Sequence, residues 1–555
     1  MIRDALLINA CVQQGLFDNE LVVDVKKEAQ RKKQSLLIAL AYASRLPISA
    51  FYRAYASLHH IPFLSGSALN VDLNVLRKLP VGMAERKLLM PISMEPEYVT
   101  QSSVQTNRTR LYLVVANPED KAGIQQFERA TGATVVLFMG DPVAIAYALK
   151  KAYAKLPVLS ALSGNESKFD SIEMLDDLFG EAWLSRASDI HIEAHKESVQ
   201  VRLRVDGRLQ EYPRQFSVEE GLSLMSRMKV LAALDISEQR MPQDGALTHT
   251  LVNAVEFDVR CATMPTRFGE RATLRLLGSD NQALSLAGIG MSAIDLQRFE
   301  REIQKPHGMI LITGPTGSGK STTLYAALQQ VSSPEINIMT VEDPIEYVMS
   351  GVAQVQVGSK VSFSSALRSF LRHDPDVMMV GEIRDGETAG IGMKAAMTGH
   401  LVFSTLHTNS AAGAVNRLVD MGAERYLIGA TLLAVIAQRL VRRLCTECRQ
   451  ERVVTVREAE FFGFDIAQKV YEPKGCAHCL DSGYKGRLAL FETYWIDTKA
   501  RQLINDGATE AELIRHAKDF SDLLHDGVNK VSSGLTSLAE LKRLGLLNNY
   551  EEHAL

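Results

Sequence analysis

Apolar positions along the first 65 or so residues recur at helical spacing: Leu36, Leu37, Leu40 and Ala41, then Phe51, Ala54 and Tyr55, with Gly and Pro at the breaks. The pattern predicts a helical segment over 1–65. It then changes. Arg110 to Pro118 and Ala133 to Gly140 are apolar, β-rich runs with helical patterns between them, which predicts a small α/β module over 66–155. Leu156 to Lys168 is rich in Ser, Pro and Gly, and 156–169 reads as a linker. A second α/β module is expected over 170–285. In it Val199, Val201, Leu203 and Val205 alternate with Gln200, Arg202, Arg204 and Asp206, and Asp206-Gly207 turns the chain as a hairpin. Over 286–443 strand and helix patterns alternate, as a parallel sheet with crossover helices requires. A cysteine-bearing insert over 444–495 and a helical tail over 496–555 complete the chain.

A chain of 555 residues, 46% of them hydrophobic, has material for several cores. Its 61 Lys+Arg against 65 Asp+Glu leave a net charge of −4, which argues against bulk, sequence-independent nucleic-acid binding. Six cysteines in this length exclude a disulfide-stapled secreted scaffold. The apolar run Tyr426 to Gln438 lies between Arg425 and Arg439 and is too short to cross a bilayer. The N-terminus carries Asp4 and no small-residue cleavage pattern, so a signal peptide is not expected and a cytoplasmic location is.

The chemistry concentrates after residue 308. An apolar strand, Met309 to Thr313, runs into Gly314-Pro315-Thr316-Gly317-Ser318-Gly319-Lys320-Ser321-Thr322, and a helix opens there. Strand, glycine-rich loop and helix in this order define a P-loop: glycines let backbone N–H groups curl around phosphate oxygens, Lys320 reaches the β- and γ-phosphates, and Ser321 ligates Mg²⁺. ATP and Mg²⁺ are the expected ligands. Three later segments place polar groups at the ends of expected strands, where an open α/β sheet lines its ligand crevice. The first carries Glu342, Asp343 and Glu346, the second Glu382, the third His407. Glu382 ends the most apolar of these strands and is the candidate for polarising the attacking water. Gly381 stands where a generic Walker B strand carries Asp, so the magnesium shell must be completed otherwise, with Glu382, Glu342 and Asp343 as candidates. His407 is a candidate for sensing or polarising the γ-phosphate.

Taken together, "GPTGSGKSTTLYAAL", "TVEDPIEY", "LRHDPDVMMVGEIRD" and "TGHLVFSTLHTNSA" resemble the type II secretion and type IV pilus assembly ATPases. Upstream, "ASDIHIE", "VRLRVDG" and "PQDGA" extend the resemblance, which covers roughly 170–500 strongly. It implies an α/β fold: a RecA-like P-loop motor preceded by a smaller, PAS-like N2 domain and an N-terminal helical plus α/β adaptor. It further implies a homo-hexamer that hydrolyses ATP in the cytoplasm, held peripherally at the inner membrane through a platform protein and other cytoplasmic domains of the machine. By motif position Arg260 and Arg275 of the N2 domain, and Arg368 and Arg372 of the motor, would neutralise phosphate charge. Two features depart from the pattern. Gly390 and Gly392 interrupt an expected helix, at a cost of roughly 1 kcal/mol each, and the signature of cyclic-di-GMP-binding adaptors is not convincing, so that ligand is not expected. The long N-terminal region and the insert favour assembly over retraction. Two rival readings are a nucleic-acid translocase or conjugation-type motor, and a nucleotide-gated scaffold with little turnover.

Cys445-Thr-Glu-Cys448 and Cys476-Ala-His-Cys479 are two CxxC knuckles able to surround one Zn²⁺ tetrahedrally; with no open position, such a site is structural. Cys11 and Cys261 read as buried small hydrophobes. The basic run Arg439, Arg442, Arg443, Arg449 and Arg452 reads as a solvated face or as a docking patch for an acidic partner.

Overall fold

The computed structural model describes residues 2–546 apart from 33, 65–68, 70, 80–82, 98–107, 155–170, 213, 215, 252–254, 278–284 and 518–519. The expected linker at 156–169 lies outside the described residues. Two compact units divide the chain: Met1–Ser279 with Cys476–Asp481, and Asp280–Gly475 with Ser482–Leu555.

The first unit opens with four helices, Asp4–Gln13, Asn19–Lys32, Leu36–Ser44 and Ile48–Leu58. A four-stranded sheet follows, in the order Phe63–Leu64, Thr134–Gly140, Arg108–Val115, Leu89–Glu97. Cys11 and Cys261 are buried, and burial pushes both thiols up to about 12, which suits small hydrophobes rather than reactive groups.

Residues 171–276 build a six-stranded antiparallel sheet, ordered Arg208–Glu211, Val199–Val205, Ala187–Ala194, Gly269–Leu276, Glu256–Thr266, Gln243–Thr250. The Asp206-Gly207 hairpin forms as expected, with both residues at positive φ (48° and 83°). Alternation sorts this sheet cleanly. Ile190, Ile192, Val201, Leu203, Val259, Cys261, Ala272 and Leu274 are buried in the core that also takes Leu178, Phe179, Leu224 and Met228 from the helices Ser171–Leu184 and Val218–Leu231. The opposite parity carries the charges. Cα register places Arg204, Asp189, Arg275 and Arg260 in one row across four strands.

The second unit is built on a seven-stranded sheet ordered Val352–Gln356, Ile338–Glu342, Val377–Val380, Leu401–Leu406, Gly308–Thr313, Leu432–Leu444, Tyr484–Trp495. Every pairing is parallel except the last. Its three central strands, Gly308–Thr313, Leu401–Leu406 and Val377–Val380, are buried along their whole length, because helices cover both faces. Two expectations change here. The apolar run Tyr426–Gln438 divides into the helix Arg425–Thr431 and the first half of the strand Leu432–Leu444. Of the span expected to be insert, 484–495 is the edge strand of this sheet. The insert proper is a two-stranded ribbon, Gln450–Val453 with Lys469–Glu472, and the helix Val456–Phe462. Its Val454, Ala459 and Val470 share a core with Val441, Leu490 and the tail residues Leu523, Val531 and Leu541.

Four of the five arginines of the basic run have partners within the protein, while Arg443 is exposed. Arg442 donates to the buried Glu540, Arg449 to the Gly534 carbonyl, Arg452 to Glu458 and Glu472, and Arg439 to Asn409. Arg442 thereby fastens the tail to the sheet, Arg449 joins the insert to the tail, and Arg452 holds the insert together.

Candidate nucleotide site

The P-loop leaves the carboxyl end of Gly308–Thr313 and enters the helix Lys320–Val331. Two of its glycines are required by space as well as by φ. A Cβ on Gly314 (φ +144°) would lie 2.5 Å from the Gln438 carbonyl, and one on Gly319 (φ +88°) 2.7 Å from Gln438 Nε2. The loop therefore packs against the neighbouring strand through bare backbone. Ser318 Oγ is buried and has no hydrogen-bond partner. Lys320 Nζ donates to the Gly314 and Pro315 carbonyls at 2.8 and 3.1 Å. Burial lowers its pKa, while the carboxylate of Glu382 works the other way. A buried ammonium capped only by carbonyls, beside an orphaned hydroxyl in a glycine cradle, is a site shaped for an anion, and a nucleotide phosphate fits it. Ser321, the next residue, is the one that would hold Mg²⁺.

Three strand ends meet beside this loop. Thr313 Oγ1 accepts from the Thr408 N–H (2.8 Å) and lies 2.7 Å from Thr408 Oγ1, which ties the P-loop strand to the His407 segment. Glu382 pairs with Arg384 through one oxygen and sits 3.4 Å from His407 Nε2 through the other. Arg384 also reaches Asp343, at 3.3 Å. Asp343, Arg384, Glu382 and His407 thus form one chain of polar groups across the carboxyl ends of three strands. Glu342 is placed differently. Its buried carboxylate accepts from Tyr325, from Thr340 Oγ1 (2.6 Å) and from Gln354 Nε2 (3.1 Å). The Tyr325 hydroxyl in turn accepts from the Glu346 and Tyr347 N–H groups, both at 3.3 Å. Glu342 therefore ties the P-loop helix to the Asp343–Glu346 loop.

Arg368 pairs with Glu387, and Arg372 donates to the Arg368 carbonyl at 3.1 Å. Neither recorded contact is with a residue of the P-loop or of the Asp343–His407 chain. Arg275 donates to Asp189 at 2.9 Å, and Arg260 is its cross-strand neighbour on the same face. Burial pushes Asp189 up, but the Arg275 and Ser188 hydrogen bonds carry its pKa below the usual carboxylate value.

Three contributors were not anticipated. Gln438 accepts from Thr323 Oγ1 at 2.8 Å and so anchors the P-loop helix to the next strand. Its signal was legible: an amide closing the apolar run Leu432 to Ala437, directly before Arg439. Tyr325 carried no such signal, because its partner Glu342 lies in another element, and nor did the Arg384 contact with the distant Asp343.

The four cysteine sulfurs of 445, 448, 476 and 479 all lie within 4.8 Å of one another. The Cys476 and Cys479 sulfurs are 3.8 Å apart. Four thiolates at about 2.3 Å from one ion define a tetrahedron with edges of about 3.8 Å, so the set fits a metal. The Gly475 and Cys476 N–H groups donate to the sulfurs of Cys448 and Cys479 at 3.3 and 3.2 Å, the kind of outer support that metal thiolates receive.

Fold and site together define a P-loop nucleotide-hydrolase architecture: an open α/β sheet, a glycine cradle with its lysine, and acidic and imidazole groups converging at the strand ends. Within that class, the chain belongs to the type II/IV secretion system protein family, whose model matches residues 165–543, and an MshEN domain is matched at 59–158. It is 40% identical to the type II secretion system protein E of Klebsiella pneumoniae over 90% of this chain and 97% of that protein. It is 35% identical to the type IV pilus assembly ATPase PilB of Myxococcus xanthus, over 96% of this chain and 97% of that one. Among solved structures, the ATPase DotB of Legionella pneumophila superposes with a TM-score of 0.51 at 22% identity, covering 69% of this chain and 98% of that one, a likeness of fold.

Proposed function

We propose that this chain is an ATP-hydrolysing motor that powers assembly of a type IV pilus or a type II secretion pseudopilus. The observation that carries the reading is Glu382, fixed at a strand end between Arg384 and His407, with its charge felt by the P-loop Lys320. On ATP binding, Lys320 exchanges the Gly314 and Pro315 carbonyls for phosphate oxygens. Glu382 orients the water that attacks the γ-phosphorus, and His407 stands beside it to follow the γ-phosphate. Magnesium, when bound with the nucleotide through Ser321, neutralises charge on the β- and γ-oxygens. Thr316, Gly317 and Thr322 complete the loop around the phosphates. Arg260 and Arg275 supply further positive charge to the nucleotide, with Arg368 and Arg372 as motor-side candidates. We assign the working form as a homo-hexamer in the cytoplasm, held at the inner membrane by a platform protein. No helix among the described residues is long and apolar enough to cross a membrane.

Glu382→Gln should lower phosphate release by about 10²- to 10³-fold while ATP binding, followed with a fluorescent nucleotide, is retained. Unchanged turnover removes Glu382 from this role. The four cysteines are assigned a structural Zn²⁺. Stripping it with a chelator should release one zinc per chain and lower the melting temperature of the second unit; an unchanged melting profile with no zinc released overturns the assignment.

A further inference from the structure

We propose that Arg384 is a positioning residue of the hydrolytic site: its guanidinium holds the Glu382 carboxylate in place by bridging it to Asp343. The inference rests on the reading of Glu382 as the group that orients the attacking water.

The backbone around Arg384 is pinned on both sides. Ile383, nearly fully buried, donates its N–H to the Thr405 carbonyl at 3.0 Å. Asp385 caps the helix Gly386–Met397 by accepting from the Thr388 N–H at 2.8 Å. Between these fixed points the Arg384 side chain is 58% exposed, yet it pairs with Glu382 and lies 3.3 Å from Asp343. The ring of Phe363, first residue of the helix Phe363–Phe370, lies 5.8 Å below the guanidinium. So open an ion pair contributes little to stability, and packing alone does not call for a guanidinium here.

Electrostatics does. Val341 and Val380 are register partners on adjacent parallel strands, so the two carboxylates that follow, Asp343 and Glu382, emerge side by side. Without a cation between them they repel. The other titratable groups recorded here beside Glu382 among the described residues are the His407 imidazole at 3.4 Å and Lys320, and Lys320 is committed to the P-loop, with Glu346 and Arg439 within its field. Arg384 is the group that can fix Glu382 from the side opposite His407. One terminal nitrogen of Arg384, Nη2, faces both carboxylates, so a single cation with more than one N–H donor serves the two at once, and an ammonium at this place could do so in part. Arg384 thereby links the Asp343 loop to the hydrolytic carboxylate, and a shift of that loop on nucleotide binding would re-aim Glu382.

The test uses the full-length protein, with steady-state ATP turnover and nucleotide binding measured on the same preparations. Arg384→Ala should lower kcat by roughly 10- to 100-fold, the scale of a misplaced catalytic group, with KM for ATP changed less than about threefold. Arg384→Lys should regain part of that loss. An unchanged kcat, a matching loss of ATP affinity, or a Lys variant as poor as the Ala variant overturns the proposal. Glu382→Gln separates the two claims. If it turns over normally, the reading of Glu382 fails and this inference with it. If it is inactive while Arg384→Ala turns over normally, only the inference fails.

Discussion

The chain carries its chemistry in two sheets that solve the problem of exposing charge in opposite ways. The antiparallel sheet of 187–276 has one wet face, so charges stand in alternation along its strands. Arg204, Asp189, Arg275 and Arg260 line up in a row across it, opposite a face that is mostly apolar and buried. The parallel sheet of the second unit is covered on both faces, and its central strands are buried from end to end. Charge is expelled from those central strands to their ends. There Lys320 and His407, both distant in sequence, meet the neighbouring Glu382 and Arg384. A face offers rows of similar residues whose individual loss is partly covered by neighbours. A set of strand ends offers single residues with no substitute.

The sharpest way to break this contrast is to remove one residue of each kind. Lys320→Ala takes away the one ammonium of the P-loop cradle, and ATP turnover should fall by at least on the order of 10²- to 10³-fold, with nucleotide binding weakened in parallel. Arg275→Ala removes one guanidinium from a row that keeps Arg260 and Arg204. Turnover should fall by about tenfold, and the melting temperature should barely move, because the Arg275–Asp189 pair is largely open to solvent on the arginine side. If Arg275→Ala proves as damaging to turnover as Lys320→Ala, the row is not redundant and the comparison fails.

The two sheets were also unequally legible. The face of 199–205 could be read residue by residue, because a period of two tells which side each side chain takes. The P-loop was legible because a phosphate cradle fixes residue types at fixed spacing, and Glu382 and His407 because polar groups ending apolar runs point to strand ends. What stayed hidden depends on partners remote in sequence. The Tyr325–Glu342 bond, the Thr323–Gln438 bond and the Arg384 bridge to Asp343 each join separate elements, and no local pattern specifies them. For the same reason the basic run around Arg442 looked like a surface, although Glu540, which accepts from it, lies 98 positions away. The strand Tyr484–Trp495 was hidden inside a span dominated by its cysteines.

The helix Gly386–Met397 sharpens the contrast at the smallest scale. Its two interior glycines, Gly390 and Gly392, looked like equal weaknesses, and the helix nevertheless runs unbroken through both. Their surroundings differ. A Cβ on Gly390 would meet nothing within 4 Å, whereas one on Gly392 would lie 3.1 Å from the Met309 side chain, on the P-loop strand. Gly392 therefore lets a covering helix approach a strand buried on both faces, a constraint that follows from a parallel sheet. Gly390 answers to no such neighbour. Gly390→Ala should raise stability by about 0.5–1 kcal/mol, since the unfolded chain loses freedom at no steric cost. Gly392→Ala should gain less, because the Met309 methyl must give way by a few tenths of an ångström. Denaturant melts of the two variants decide it: an equal gain at both positions would mean that the close approach at Gly392 carries no constraint, and that burial of the P-loop strand does not depend on how tightly this helix sits.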